Sequence, residues 1–124
     1  TALGTKGLIV PVLRKVQTLS LEGVAAGLDQ LVEKARAEKL TSADVKDGTF
    51  TISNHGVSGS LFASPIIINQ PQSAILGVGK LEKRVVVREV DGVDTIQIRP
   101  MAYVSLTIDH RPATLMLLEP WLAD

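Results

Sequence analysis

Val85-Val86-Val87-Arg88-Glu89-Val90, then Asp91-Gly92, then Thr95-Ile96-Gln97-Ile98-Arg99 carries the strongest local fold signal in the chain. Two β-branched runs flank a dipeptide that accepts the positive φ angles of a tight turn, so it predicts an antiparallel hairpin. Outward from it, Ala74-Ile75-Leu76-Gly77-Val78-Gly79 predicts a buried strand with small residues where neighbours approach closely. On the other side, Met101 to Ile108 alternates as a strand and delivers Asp109-His110-Arg111 at its end.

Further upstream, Pro65 to Ile68 predicts an apolar strand or extended segment, broken by Asn69-Gln70-Pro71-Gln72. Thr49-Phe50-Thr51-Ile52-Ser53 alternates as a strand, and Asn54 to Gly59 reads as a glycine-rich loop whose backbone can pass close to another segment. One helix is expected before these strands. Ser20 can cap it, Glu22 suits its positive end, and Leu21, Val24, Ala25, Leu28, Leu31, Val32 and Ala35 recur at helical spacing. Glu33, Lys34, Arg36, Glu38 and Lys39 fall mostly between them and read as a solvated face. Thr41 with Asp44 resembles a short capping box, and Asp47-Gly48 redirects the chain. Leu8-Ile9-Val10-Pro11-Val12 suits a strand buried on both faces, with Pro11 at a sheet edge or bulge. From Pro112 a helix is expected to begin, stopped or kinked by Pro120, with Leu115 to Leu118 and Trp121 either in the core or at a contact between subunits.

At 124 residues the chain fits one domain, 1–124, with an aliphatic core, since only 3% of it is aromatic. Thirteen Lys and Arg balance thirteen Asp and Glu without forming a block, which argues against nucleic acid and anionic membrane surfaces as partners. The apolar runs are too short to span a bilayer. The chain has no cysteine, which removes disulfides, thiolate metal sites and a cysteine nucleophile, and fits cytoplasm or an organelle matrix. Its two histidines lack a metal-site spacing and a third ligand, so no metal is expected.

Four segments in order, Gly7-Leu8-Ile9-Val10-Pro11-Val12, Gly48-Thr49-Phe50-Thr51-Ile52-Ser53-Asn54, Ala74-Ile75-Leu76-Gly77-Val78-Gly79 and Asp109-His110-Arg111, resemble the catalytic domain of the dihydrolipoyl acyltransferases of 2-oxoacid dehydrogenase complexes. Pro65-Ile66-Ile67-Ile68-Asn69-Gln70-Pro71 resembles that family's P-I-(I/V)-N-x-P segment with one extra isoleucine. The resemblance implies an α/β fold like that of chloramphenicol acetyltransferase, a mixed β-sheet flanked by helices. About half of the usual catalytic domain, its C-terminal part, is represented. It also implies a homotrimer with active sites between subunits, assembly into a cubic or dodecahedral core, and partners that include a lipoyl domain and the other dehydrogenase components. Coenzyme A is implied as a substrate, and the lipoyl group is expected on a separate domain. The location is then cytoplasmic, or the mitochondrial matrix in a eukaryote.

Acyl transfer between thiols needs a base for the attacking thiol and a hydrogen-bond donor for the tetrahedral oxyanion. Imidazole suits the first task as a side-chain type. By resemblance, His110 matches the catalytic histidine of the family's H-x-x-x-D-G motif, and Ser53 the hydroxyl that steadies the oxyanion from the neighbouring subunit. Read without the family, His110 is an ordinary histidine at a strand end, Ser53 a strand serine bonded to a neighbouring chain, and His55 a surface loop histidine. Thr114 and Leu115 stand where the family has aspartate and glycine. That departure motivates an alternative, an impaired or inactive homologue that serves core assembly.

Overall fold

The computed structural model describes residues 1, 3, 7–64 and 66–111, and the chain forms two compact units, Thr1–Gly48 and Thr49–Asp124. The expected helix from Pro112 onward, with Thr114, Leu115 and Trp121, lies outside the described residues.

In the first unit, α1 spans Leu21–Arg36. It starts where the sequence places its cap: the Ser20 hydroxyl accepts a hydrogen bond from Gly23 N at 3.1 Å, and such a cap stabilises a helix by about 1 kcal/mol. Glu22 lies in the first turn and Lys34 and Arg36 in the last, so both ends carry charges that oppose the helix dipole. Leu31 and Ala35, one turn apart, are its buried residues, while Glu33, Lys34, Arg36, Glu38 and Lys39 are exposed. Gly27 lets Leu13 lie against the helix, because a Cβ there would stand 2.7 Å from Leu13 Cδ1. Thr41 and Asp44 form the expected capping box around a 3-10 turn, Ser42–Asp44, with Asp44 Oδ2 accepting from Thr41 N at 2.8 Å.

Leu8 to Val12 differs from the expected buried strand. Among the described residues it makes an isolated bridge at Leu8, and Leu8 and Val10 are 74% and 51% exposed. Its backbone bonds are local to the unit: Ile9 N donates to Thr1 O, Val12 N donates to Asp44 O, and Pro11 has no N–H to give. An apolar β-branched run supplies one strand; burial on both faces also requires partners on both sides, and among the described residues its ladder contacts are those of Gly7 and Ile9 with Leu3 and Thr1.

Among its described residues, the second unit holds a three-stranded sheet and a two-stranded ribbon. The sheet has the order β1 (Thr51–Asn54), β2 (Ala74–Val78), β5 (Val104–Ile108). β1 runs parallel to β2 and β5 antiparallel to it, so the sheet is mixed. β2 is central, and its alternate residues Ile75 and Gly77 are buried. Gly77 and Gly79 are small for the reason the sequence suggests. A Cβ on Gly77 would sit 2.6 Å from both Ile66 Cδ1 and Ser105 Oγ, and Ala63, which crosses this face, hydrogen-bonds through its carbonyl with the Ser105 hydroxyl. Asn69-Gln70-Pro71-Gln72 turns the chain into β2, with a cis Gln70–Pro71 bond and Gln72 N donating to Asn69 O at 2.9 Å.

β3 (Glu82–Val90) and β4 (Val93–Met101) are the predicted hairpin, with Asp91 at φ 52° and Gly92 at φ 78°. Positive φ at both turn positions gives a twist that matches the flanking strands. Its register pairs Val85 with Ile98 and Val87 with Ile96 on one face, and all four side chains are more than half exposed.

Candidate functional site

Ser53 sits on β1 opposite Gly77, which in turn faces Ser105 of β5. Side chains two residues apart on an extended strand share a face. Ser53 and His55 do so, and Ser53 Oγ lies 3.0 Å from His55 Nε2 with both residues half-buried. His55 therefore departs from the surface position its loop context suggests. Its i, i+2 spacing from Ser53 was the signal in the sequence that could have found the contact.

The loop beyond this pair is closely tied. His55 N donates to Val78 O at 2.9 Å, extending the β1–β2 ladder, and the His55 carbonyl accepts from Ser58 N and Ser58 Oγ. Gly56 N donates to Asn54 Oδ1 at 2.9 Å, and a Cβ on Gly56 would stand 2.5 Å from the Gly79 carbonyl oxygen. The glycine-rich loop thus makes the close backbone passage its composition suggests. On the far side of Gly79, Tyr103 O accepts from Gly79 N, and the Tyr103 ring packs edge-on to Phe62 and under the Arg84 guanidinium. Arg84 is held by Glu82 at 2.8 Å, and that bond lowers the Glu82 carboxyl below the usual carboxylate range.

His110 follows β5 in an exposed turn. Asp109 N donates to Ser73 O at 2.7 Å, anchoring the turn to the start of β2. Arg111 closes it: its Nη2 lies 2.6 Å from Asp109 Oδ2 and its backbone N donates to Asp109 Oδ1 at 3.0 Å. These hydrogen bonds from Arg111 hold the Asp109 carboxyl down at about 2, with the nearby His110 contributing in the same direction. Arg111 consequently has a carboxylate partner two residues away.

The two residues singled out from the sequence do not meet within one chain. Ile108 pairs with Ala74 and Ser53 with Gly77, and β1 and β5 lie on opposite sides of β2. That separates them by about 10 Å along the strands and about 10 Å across the sheet, with His110 beyond the end of β5. Ser53 and His110 occupy opposite ends of the same sheet. Among the described residues, no three His, Cys, Asp or Glu side chains are grouped to hold a metal, and no helix is long and apolar enough to cross a membrane.

Residues 2–122 match the family model described as 2-oxoacid dehydrogenases acyltransferase (catalytic domain). The chain is 50% identical over 111 residues to the dihydrolipoyllysine-residue succinyltransferase component of the 2-oxoglutarate dehydrogenase complex of Rickettsia typhi, covering 89% of this chain and 27% of that protein. The mitochondrial protein of that name from Bos taurus is 50% identical over 106 residues, covering 86% and 22%. The chain thus spans about a quarter of the length of the curated relatives it matches. Among solved structures, it resembles a probable dihydrolipoamide acetyltransferase from Listeria monocytogenes with a TM-score of 0.82 at 38% identity, covering 98% of this chain and 50% of that one. The cubic core of a pyruvate dehydrogenase multienzyme complex gives 0.79 at 37% identity, covering 96% and 47%. Azotobacter vinelandii dihydrolipoamide acetyltransferase, in a study of the role of a serine, a histidine and an asparagine in its catalytic mechanism, gives 0.74 at 40% identity, covering 86% and 42%. These likenesses bear out the α/β, chloramphenicol acetyltransferase-like class expected from the sequence.

Proposed function

The chain belongs to the 2-oxoacid dehydrogenase acyltransferase (catalytic domain) family, and on that premise we propose that it is part of a dihydrolipoyl acyltransferase that moves an acyl group from a lipoyl thioester to coenzyme A. His110 takes the proton of the incoming thiol as its sulfur attacks the thioester carbonyl carbon. The Ser53 hydroxyl donates a hydrogen bond to the oxyanion that forms. When the carbon–sulfur bond to the lipoyl arm breaks, the imidazolium of His110 returns the proton to the departing sulfur, which balances the step. The base is worth about two to four orders of magnitude in rate and the donor about two to three for reactions of this type.

The observation that carries this reading is the placement of Ser53 and His110 at opposite ends of one sheet. Groups that must touch one intermediate, yet cannot do so within a chain, act when two copies meet. This supports sites that lie between subunits, as in the homotrimer that the family resemblance implies. The exposed apolar face at Val85, Val87, Ile96 and Ile98 supports burial against further protein, since large apolar patches are uncommon on soluble monomers. The solved cubic core among its relatives supports a larger assembly, with a lipoyl domain and other dehydrogenase components as partners. Bacterial and mitochondrial relatives support cytoplasm or mitochondrial matrix as its place of work.

Thr114 and Leu115, where the family motif has aspartate and glycine, favour a second reading, an assembly protein without turnover. Acyl transfer from acyl-dihydrolipoamide to coenzyme A, measured on the assembled full-length protein, decides between them. Turnover that falls on His110→Ala establishes the enzyme; a well-folded assembly without turnover establishes the structural homologue.

A further inference from the structure

The mechanism above leaves His55 unused, yet its ring nitrogen Nε2 is 3.0 Å from the hydroxyl on which oxyanion stabilisation depends. A serine hydroxyl has one proton and can also accept hydrogen bonds. If Nε2 accepts from Ser53, that proton is engaged and the hydroxyl cannot donate to an oxyanion. If Nε2 carries a hydrogen and donates to Oγ, the hydroxyl keeps its position and its proton is free for substrate. Catalysis by Ser53 requires the second arrangement.

The anchor for such a contact is firm. The His55 backbone is bonded to β2 through Val78 O, its carbonyl also accepts from Ser60 N, and Gly56 is pressed against the Gly79 carbonyl. The imidazole thus starts from a fixed backbone on the same face as Ser53, and a preorganised donor acts without reorganising when charge develops.

We infer that His55 is a positioning residue for Ser53: its Nε2–H donates to Ser53 Oγ and leaves the hydroxyl proton directed at the oxyanion. The inference rests on the reading of Ser53 as the oxyanion donor and goes beyond it. One such hydrogen bond is worth about 2- to 10-fold in rate.

A double-mutant cycle on the assembled full-length protein tests it, with folding checked by circular dichroism. His55→Leu removes the donor, His55→Gln restores an N–H donor, and each is made with Ser53 intact and as Ser53→Ala. The expected result is a fall in kcat of about 2- to 10-fold for His55→Leu with KM for coenzyme A little changed, substantial recovery for His55→Gln, and no effect of either once Ser53 is alanine. An unchanged kcat for His55→Leu, a fall of equal size in both backgrounds, or no recovery with glutamine overturns the role of His55 and leaves Ser53 standing. An unchanged rate for Ser53→Ala alone overturns the reading of Ser53, and the role of His55 with it.

Discussion

Adding one methyl group at Gly56 should slow the proposed acyl transfer far more than its cost in stability suggests. A Cβ there would stand 2.5 Å from Gly79 O, 2.7 Å from Gly79 C and 2.8 Å from Lys80 Cα, all backbone atoms that cannot rotate aside. Relief to an ordinary contact of about 3.5 Å moves the loop or the end of β2 by about 1 Å. Overpacking of this kind costs about 1–3 kcal/mol. The displaced segment carries His55 and, through the β1–β2 ladder, Ser53, and a misplacement of about 1 Å at a catalytic group costs about 100-fold. Gly59→Ala is the matched control: its φ of 86° makes alanine strained by about 1–2 kcal/mol, but no atom lies within 4 Å of the added Cβ. Thermal denaturation and steady-state acyl transfer on the two variants separate the effects. Both should lose comparable stability, and only Gly56→Ala should lose about two orders of magnitude in kcat. Equal activity in the two variants would mean that the Gly56–Gly79 approach does not position Ser53 and His55.

His110→Ala should lower kcat by about 10²- to 10⁴-fold without changing the circular dichroism spectrum, as measured by transfer to coenzyme A. Ser20→Ala should cost about 1 kcal/mol by chemical denaturation, because Gly23 N loses its acceptor at the start of α1. The Asp109 carboxyl, held at about 2 by Arg111 against an ordinary 3.8, contributes stability that is fully present above about pH 4 and disappears as pH falls toward 2. Arg111→Ala should therefore remove a stabilisation seen at pH 6 and absent at pH 2, read as converging denaturation curves at the lower pH.

Much of this fold was legible because local chemistry dictates it. Asp91-Gly92 specifies a turn with two positive φ angles, Ser20 and the 3.6-residue recurrence specify a capped helix, and Gly77 and Gly79 announce a strand crossed at close range. Leu8 to Val12 departs from its expected burial because periodicity describes one strand, while burial depends on the neighbours that strand finds. β5 begins at Val104, later than the alternation from Met101 suggests, because β4 runs through Pro100 to Met101 in register with β3. At the site, the i, i+2 relation of Ser53 and His55 was present in the sequence but hidden by the glycine-rich segment around it. A meeting between Ser53 and His110 could not be read from either residue's surroundings, since each lies at a different end of the sheet.

On the proposed mechanism, Ser53 of one copy and His110 of another serve a single reacting group. A structure of the assembled full-length protein with coenzyme A bound measures this directly. The expected result is both side chains in one cleft, each able to come within about 3 Å of the same thioester carbon's substituents. A structure in which His110 faces bulk water with no neighbouring Ser53 in reach contradicts it.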